Sequence, residues 1–539
     1  MDVKTEILSK YKAKVFKSRK EHIVEVDNGS EQLIAANTRA IPGIMTNRGC
    51  CYAGCKGVVL GPLKDTVVLT HGPIGCGFYS WGTRRNKARP NESGENFVQY
   101  CFSTDMQEPD IVFGGDKKLR QALSEAYQIF KPKRIMICST CPVGLIGDDI
   151  HAVAAWAEAE FGIICAAFSC EGYKGVSQSA GHHIANNGLM KRIIGTDDRR
   201  PEGKYPVNLL GEYNIGGDGW ETERILKKIG YSVVSIFTGD GALADIARSH
   251  TADLNLVQCH RSINYIAGMM KDAFGVNWLK VNFIGVEATC ETLRHLAEFF
   301  GDEELKKRTE EVIAAELEEI APDMAHYRER LSGRTAAIFV GGSRSHHYQA
   351  LLRDLGVETV LAGYEFAHRD DYEGREVIPT IKEDADSKNI ENLVMEKDRR
   401  YRMFLTPERF EDLKKKMPLE DYVGLMKDMP DGAYVVDDLN HYETEEFIKH
   451  LKPDIFFSGI KDKYVIQKGG VLSRQLHSYD YSGPYSGFRG AVLFARDVSM
   501  GLFAPAWKMV TPPWAEKREP NAGKAAFKEA ESLKEAGDA

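Results

Sequence analysis

The sequence predicts an α/β protein of three doubly wound αβα (Rossmann-like) domains with parallel sheets, and two observations carry that reading. A chain of 539 residues is too long for one hydrophobic core, and length alone points to roughly three or four domains. After residue 36 one pattern recurs: a short β-branched or apolar run ends abruptly in Gly, Ser, Cys or Asp, and an amphipathic helix follows. Strands alternating with helices make βαβ units and hence parallel sheets.

Taken in order, residues 1–36 are charged and polar and read as an N-terminal arm rather than a core element. "KRIMICST" leads into "CPVGLIGDDIHAVAAWAEAEF" within a first domain, 37–205. In a second domain, 206–330, "YPVNLLGEY" passes through "NIGGDG" into "WETERILKKIG", and "YSVVSIFT" through "GDG" into "ALADIARSH". A third domain, 331–510, carries "TAAIFVGGS", "VETVLAGYEFAH" and "PDIFFSGI". Residues 376–432 are dense in charge and helical in spacing, and read as an insertion of solvated surface helices. The tail 511–539 is low in large apolar residues, so it is expected to be mobile.

Composition limits the function classes. With 43% hydrophobic and 27% charged residues the chain reads as a soluble globular protein. A formal charge of -8 argues against general nucleic-acid binding, which wants a basic face. The N-terminus lacks an apolar signal region, and no apolar stretch approaches the roughly 18 residues of a membrane span. Eleven cysteines without a signal imply a reducing, cytoplasmic setting, where thiols are ligands, core residues or catalytic groups.

Ligands of open α/β sheets bind beyond the carboxyl ends of the strands, so the residues that follow the apolar runs matter most. Cys76 sits on a Gly-flanked loop in "TVVLTHGPIGCGFYS", Cys141 in "IMICSTCPVGLIGDD", Cys259 in "LNLVQCHRSINYI" and His477 in "SRQLHSYDYSGPY". Thiolate favours iron–sulfur clusters and imidazole a harder metal, while flanking glycines let the backbone approach a bulky cluster. One cysteine at a strand end is more often a small core residue; four such positions form a set. "GCCYAGC", Gly49 to Cys55, has no CxxC and no ferredoxin spacing. A metal held there needs ligands from far along the chain, or from another chain.

Other motifs point elsewhere. "GDGALA", Gly239 to Ala244, matches a dinucleotide fingerprint, but Asp240 would face the pyrophosphate, so a tight turn is expected. No P-loop occurs, which puts any ATP hydrolysis on another protein. Adjacent His182 and His183 in "GHHIANN" point in different directions on a helix, and at most one is expected to face a site.

Eight motifs, "RGCCYAGCKGVV", "HGPIGCGFYS", "CPVGLIGDDI", "EGYKGVSQSAGHHIAN", "GEYNIGGD", "LNLVQCHRSINYI", "GYEFAHRDDY" and "HSYDYSGPYSGF", occur in an order that resembles the α-subunit family of nitrogenase molybdenum–iron proteins. The resemblance covers most of 40–515 apart from the insertion, which itself resembles one in clostridial-type members. It implies a cofactor lying between three αβα domains, and dinitrogen reduction to ammonia by an α2β2 tetramer. Electrons would come from the ATP-driven Fe protein, which would dock near Phe113. By the same resemblance Cys50, Cys76 and Cys141 supply the α side of a P-cluster shared with the β subunit, and Cys51 and Cys55 are bystanders. Cys259 and His477 match the iron and molybdenum ligands of the iron–molybdenum cofactor.

Further roles follow from the same likeness. Val58 resembles a gate over one cofactor face with Arg84 beside it, and Gln178 and His182 a cofactor-facing pair, His182 as hydrogen-bond donor or proton relay. Arg344 matches a guanidinium near the cofactor sulfides, with Gly341 and Gly342 granting close approach and Glu365 and Phe366 in the surrounding wall. Lys461 and Gln475 resemble contacts to homocitrate. Ser343, Ser345, Asp462 and Tyr479 depart from the common pattern. Two rival readings are a cofactor-assembly scaffold of the same fold and the α subunit of a vanadium or iron-only nitrogenase. His477 within "HSYDYSGPY" weighs against the scaffold, and "GYEFAH" favours molybdenum.

Overall fold

The computed structural model describes residues 2–30, 32–35, 41–44, 49–82, 88–90, 95–175, 178–259, 263–340, 344–364, 380–381, 408, 429–459 and 462–509. It is α/β, with three sheets whose core strands run parallel. Near the N-terminus lie β1 (Ile23–Glu25) and β2 (Leu33–Ile34). The first sheet uses β3 (Val67–His71), β4 (Phe102–Ser103), β5 (Arg134–Ser139) and β6 (Ile164–Phe168), in the order β4-β3-β5-β6. The second uses β7 (Pro206–Glu212), β8 (Ser232–Thr238), β9 (Leu254–Val257) and β10 (Asn277–Lys280), in the order β10-β9-β7-β8. The third takes β11 (Thr335–Phe339), β12 (Glu358–Tyr364), β14 (Tyr434–Asp437), β15 (Ile455–Ser458) and β16 (Leu472–Gln475), in the order β1-β14-β12-β11-β15-β16. A short β13 (Thr380–Ile381) pairs with β2.

Helices cover both faces of these sheets, so the central strands are apolar along their length instead of alternating. Ile135, Met136, Ile137 and Cys138 of β5 are all fully buried. The helix Gly487–Leu502, late in the chain, reaches the second sheet: Phe488 lies in that sheet's hydrophobic core, and the Gly487 N–H donates to the Phe283 carbonyl at 2.6 Å.

Residues 1–36, expected to be an arm, are in large part a piece of the third sheet's core. Helices Val3–Leu8 and Ala13–Lys20 precede β1, which pairs antiparallel with β14 in the register Ile23↔Val436. Ile7, Leu8 and Ile23 are wholly buried. Arg19, itself buried, makes a two-pronged ion pair with the fully buried Glu443, Nε–Oε1 at 2.6 Å and Nη2–Oε2 at 2.7 Å, and donates to the Asp438 carbonyl at 3.2 Å. A charge that reads as solvated in the sequence is here neutralised inside the fold. The insertion 376–432 falls outside the described residues except for 380–381, 408 and 429–432, and so does the tail 511–539.

One local feature positions everything that follows. Ala53–Leu60 is a π-helix, closed by a Gly61 N–H to Lys56 carbonyl bond of 2.7 Å. The helix Gln178–Arg192 lies directly against it. A Cβ on Gly54 would fall 1.9 Å from the Gln178 carbonyl oxygen, and one on Gly181 would fall 1.9 Å from the Cys51 carbonyl oxygen. Only glycine at both positions allows this backbone-to-backbone approach. π-Helical turns are rare and concentrate at functional sites.

Arg19→Ala leaves the Glu443 carboxylate buried without its partner, and should cost about 3–5 kcal/mol in denaturant unfolding. Lys10→Ala breaks an ion pair whose lysine is mostly exposed, and should cost under about 1 kcal/mol. Equal effects of the two substitutions would show that the Arg19–Glu443 pair does not anchor the N-terminal segment.

Candidate functional site

Three thiols gather at the carboxyl ends of the first sheet. Cys50 precedes the π-helix, Cys76 lies in the helix Ile74–Gly82 that follows β3, and Cys141 opens the helix Cys141–Ile146 after β5. Gly172, past the end of β6, runs between two of them: a Cβ there would sit 3.0 Å from Cys141 Sγ and 3.5 Å from Cys50 Sγ. Burial, and then the nearby Cys50 and Cys141 sulfurs, push the Cys76 thiol up. The Tyr52 hydroxyl is within hydrogen-bond distance of Thr70 Oγ1 (2.7 Å) and Ser80 Oγ (3.2 Å), and of the Cys76 carbonyl at 3.3 Å, which pins this turn to β3.

The three sulfurs do not all close within 4.8 Å of one another, as the ligands of one small ion would. The glycine at 172 leaves room beside the Cys141 and Cys50 sulfurs. Cys50 and Cys76 are exposed and Cys141 is half-buried. Ile74, Phe78, Tyr79, Leu145 and Tyr173, each more than half exposed, come from the same segments. A thiol set flanked by exposed apolar side chains is the signature of a face that another molecule covers. Phe113, 88% exposed, ends the neighbouring helix Glu108–Phe113 beside Val112, which is also exposed.

A second group lies at the ends of strands in the other two sheets. Cys259 follows β9, and the left-handed Gly211 (φ +77) packs on it so closely that a Cβ would fall 2.5 Å from Cys259 Cβ. His477 follows β16, and its ring lies over Gly459, where a Cβ would meet Cε1 at 3.1 Å. His477 Nε2 is 3.2 Å from the Val340 carbonyl oxygen. A proton on Nε2 makes that bond and fixes the direction of the ring. A soft thiolate and an imidazole, each beside a glycine, are donors of the kind that metal centres use.

Arg344 opens the helix Arg344–Asp354 and donates to the Tyr479 hydroxyl at 2.9 Å; that hydroxyl in turn donates to Asp218 Oδ2. The other Asp218 oxygen accepts the backbone N–H groups of Tyr485 (2.6 Å) and Ser486 (3.0 Å). Tyr479 is thus a polar bridge between Arg344 and Asp218. Tyr479, Asp480 and Tyr481 take positive φ angles of 52°, 51° and 66°, and αL backbone at non-glycine residues persists only where the surroundings hold it. Asp480 supplies that hold, accepting from Lys463 Nζ at 2.5 Å and from Gln475 Nε2 at 3.0 Å. Asp462 is buried and 2.8 Å from His441 Nε2. The Ser345 hydroxyl donates to the Gly363 carbonyl at 3.3 Å.

The π-helix runs between the two groups. Val58 is buried near its far end, and its carbonyl accepts the Thr238 hydroxyl at 3.4 Å where β8 stops. Gln178 starts the facing helix over Gly49 and Gly54. His182 and His183 are both buried, the ring of His183 standing edge-on to Tyr265 with centroids 4.0 Å apart. Asp240 accepts from Trp220 Nε1 (2.7 Å) and the Arg89 N–H (2.9 Å) and pairs with Lys64, at φ +54; "GDGALA" is a tight turn there. Arg84, Gly341, Gly342, Ser343, Glu365, Phe366 and Lys461 lie outside the described residues.

Two further groups were not legible in the sequence. Glu212, at the end of β7, is buried; burial and then the Asp218 charge lift its carboxyl to about 7, against the pull of Arg344 and of the Asn214 N–H at 2.7 Å. Cys55, expected to be a bystander, lies in a buried trio with Cys138 and Cys170.

The chain matches the family described as nitrogenase component 1 type oxidoreductase over residues 50–502. It is 58% identical over 517 residues to the nitrogenase molybdenum-iron protein alpha chain of Clostridium pasteurianum, covering 95% of this chain and 97% of that one. Against the protein of that name from Methanosarcina barkeri the identity is 56%, covering 93% and 94%. For Azotobacter vinelandii it is 40%, covering 94% of each. A solved structure titled "Nitrogenase Cp1 at pH 6.5" superposes with a TM-score of 0.88 at 58% identity, covering 95% of this chain and 100% of that one.

The Glu212 pKa bears on stability. It rises from 4.5 to about 7 on folding, so between those values the folded chain holds a proton that the unfolded chain has lost. Stability of the metal-free chain should therefore fall as pH rises from about 5 to about 8, and Glu212→Gln should remove that part of the fall. Parallel slopes for the two proteins, in urea unfolding across that range, would show that Glu212 is ionised throughout.

Proposed function

We propose that this chain, which belongs to the nitrogenase component 1 type oxidoreductase family, is the catalytic α subunit of a molybdenum nitrogenase that reduces dinitrogen to ammonia. What supports this most is near full-length identity to molybdenum-iron protein alpha chains, combined with a thiol and an imidazole, Cys259 and His477, at strand ends of two sheets. The family implies metal–sulfur clusters. When bound, these supply the redox chemistry, storing electrons and passing them to dinitrogen.

The protein's own residues have distinct tasks in this reading. Cys50, Cys76 and Cys141 hold the α half of a P-cluster, and the exposed apolar side chains of the same segments meet the β subunit that supplies the other half. Cys259 holds the iron end and His477 the molybdenum end of the iron–molybdenum cofactor. The Arg344 cation offsets negative charge on that cofactor, and its hydrogen bond to Tyr479 fixes its direction. His182 is the hydrogen-bond donor or proton relay to the substrate face, Gln178 lies beside it, and Val58 with Arg84 limits approach to one face. Gly341 and Gly342 grant close approach, Glu365 and Phe366 complete the wall, and Lys461 and Gln475 hold homocitrate. The ATP-driven Fe protein docks on the exposed Phe113 surface of an α2β2 tetramer in the cytoplasm. No helix among the described residues is long and apolar enough to cross a membrane.

Elemental analysis of the purified complex tests the assignment. Molybdenum in proportion to the chain is expected; vanadium in its place, or no heterometal at all, would overturn it. Cys259→Ala should lose molybdenum while retaining P-cluster iron, because only weaker contacts then hold the cofactor. Normal molybdenum occupancy in that variant would remove Cys259 from the ligand set.

His182→Gln should separate binding from chemistry. Glutamine can still donate a hydrogen bond, but it cannot cycle a proton near neutral pH as imidazole does. Molybdenum should stay bound while ammonia formation falls and hydrogen evolution persists. Full ammonia production by His182→Gln, with loss in His183→Gln, would transfer the role to His183.

A further inference from the structure

We infer that Cys55, Cys138 and Cys170 form a binding site for one divalent thiophilic cation of the zinc class, separate from the exposed thiols of the first sheet. The three sulfurs lie within 4.8 Å of one another, and all three residues are wholly buried. Three sulfurs about 2.3 Å from one Zn²⁺ stand roughly 4 Å apart, so a small tightening of the trio closes the shell. They come from three elements held in fixed relation. Cys55 is on the π-helix, Cys138 on β5, and Cys170 just past β6.

The elements are tied together around the trio. The Cys170 N–H donates to Ser139 Oγ at 3.1 Å, and that hydroxyl donates to the Phe168 carbonyl at 3.1 Å, which locks the end of β6 to β5. Cys170 Sγ also lies 3.5 Å from the Ser139 carbonyl oxygen, an oxygen donor beside the sulfurs. On the other side Gly181 lets the long helix press on the π-helix, where a Cβ would fall 2.5 Å from the Cys55 nitrogen. Ligands positioned this way need little reorganisation to take up an ion.

Three small buried thiols would ordinarily be core packing. A second observation separates this trio from that reading. Lys56, adjacent to Cys55, is itself 5% exposed. The sulfurs of Cys101 and Cys138 lie near its ammonium. Lysine is almost never buried so deeply without an anion. The trio therefore has a deeply buried lysine beside it.

The charges also select the ion. Three thiolates, one divalent cation and the Lys56 ammonium cancel, which makes a neutral group in an apolar interior; a monovalent ion leaves a net negative charge there. Binding releases the thiol protons that remain and involves no change of oxidation state. With each ligand fully buried, uptake accompanies folding.

The test is made on the intact complex from cells grown with added zinc, washed with a strong chelator. About one zinc per chain is expected, with a shell of three sulfurs at about 2.3 Å in zinc X-ray absorption. Cys55→Ser and Cys170→Ser should each lower zinc at least tenfold while leaving iron and molybdenum in place. Cys290→Ser, a buried thiol of another sheet's core, and Cys50→Ser should keep it. If the trio variants do not fold, the zinc count and sulfur shell of the unaltered complex decide alone. Zinc-free wild type, zinc retained in both trio variants, or a disulfide between any two of the three would overturn the site. These outcomes do not depend on molybdenum content, so failure here is distinct from failure of the nitrogenase assignment.

Discussion

The close approach of two backbones, at Gly54 and Gly181, is the constraint from which the rest of the site follows. With side chains at either position the π-helix and the helix Gln178–Arg192 would be driven apart, since each Cβ would fall 1.9 Å from a carbonyl oxygen. That contact fixes where Cys50 leaves the loop, where Cys55 points and where Val58 meets the end of β8. It also sets Gln178 and His182 along the facing helix. Packed interiors are not continuously deformable, so one glycine pair governs the geometry of groups that belong to two different sheets.

Buried charge does the comparable work elsewhere. Asp218 is wholly buried and ties Tyr479, Tyr485 and Ser486 of the late chain to the start of a second-sheet helix. Arg344 and Glu212 complete that group, and the strained turn after His477 persists because Tyr479 and Asp480 are held by it and by Lys463. Arg19 and Glu443 do the same for the N-terminal helices. Such pairs are weak evidence for net stability, since desolvation offsets much of the attraction. Their consistent effect is to make one arrangement far better than its neighbours.

Two thiol sets share the same chain segments and differ in depth. Cys50, Cys76 and Cys141 reach the surface among exposed aromatic and aliphatic side chains, and Gly172 leaves space beside their sulfurs. Cys55, Cys138 and Cys170 lie one layer inward, close enough for a single ion. The outer set opens toward the surface, whereas the inner set is narrow and closed. Access, more than ligand type, separates what each can hold.

Sequence alone determined the fold class and the strand-end positions of Cys141, Cys259 and His477, because both are local; Cys76, expected on a loop, lies instead within the helix Ile74–Gly82 that follows β3. An apolar run followed by a glycine or cysteine and an amphipathic helix is visible within some twenty-five residues, and its parallel pairing follows from the crossover it requires. Tertiary structure decided what depends on distance. No stretch of sequence says that Cys55 meets Cys138 and Cys170, that Tyr479 bridges Arg344 to Asp218, or that Glu212 is lifted toward neutrality by burial and then by a carboxylate across a turn. The N-terminal segment shows the same limit. Its charged composition reads as solvated, yet Ile7, Leu8 and Ile23 are buried and Arg19 is paired, because the partner, Glu443, lies 424 residues away in the sequence and only folding brings it near.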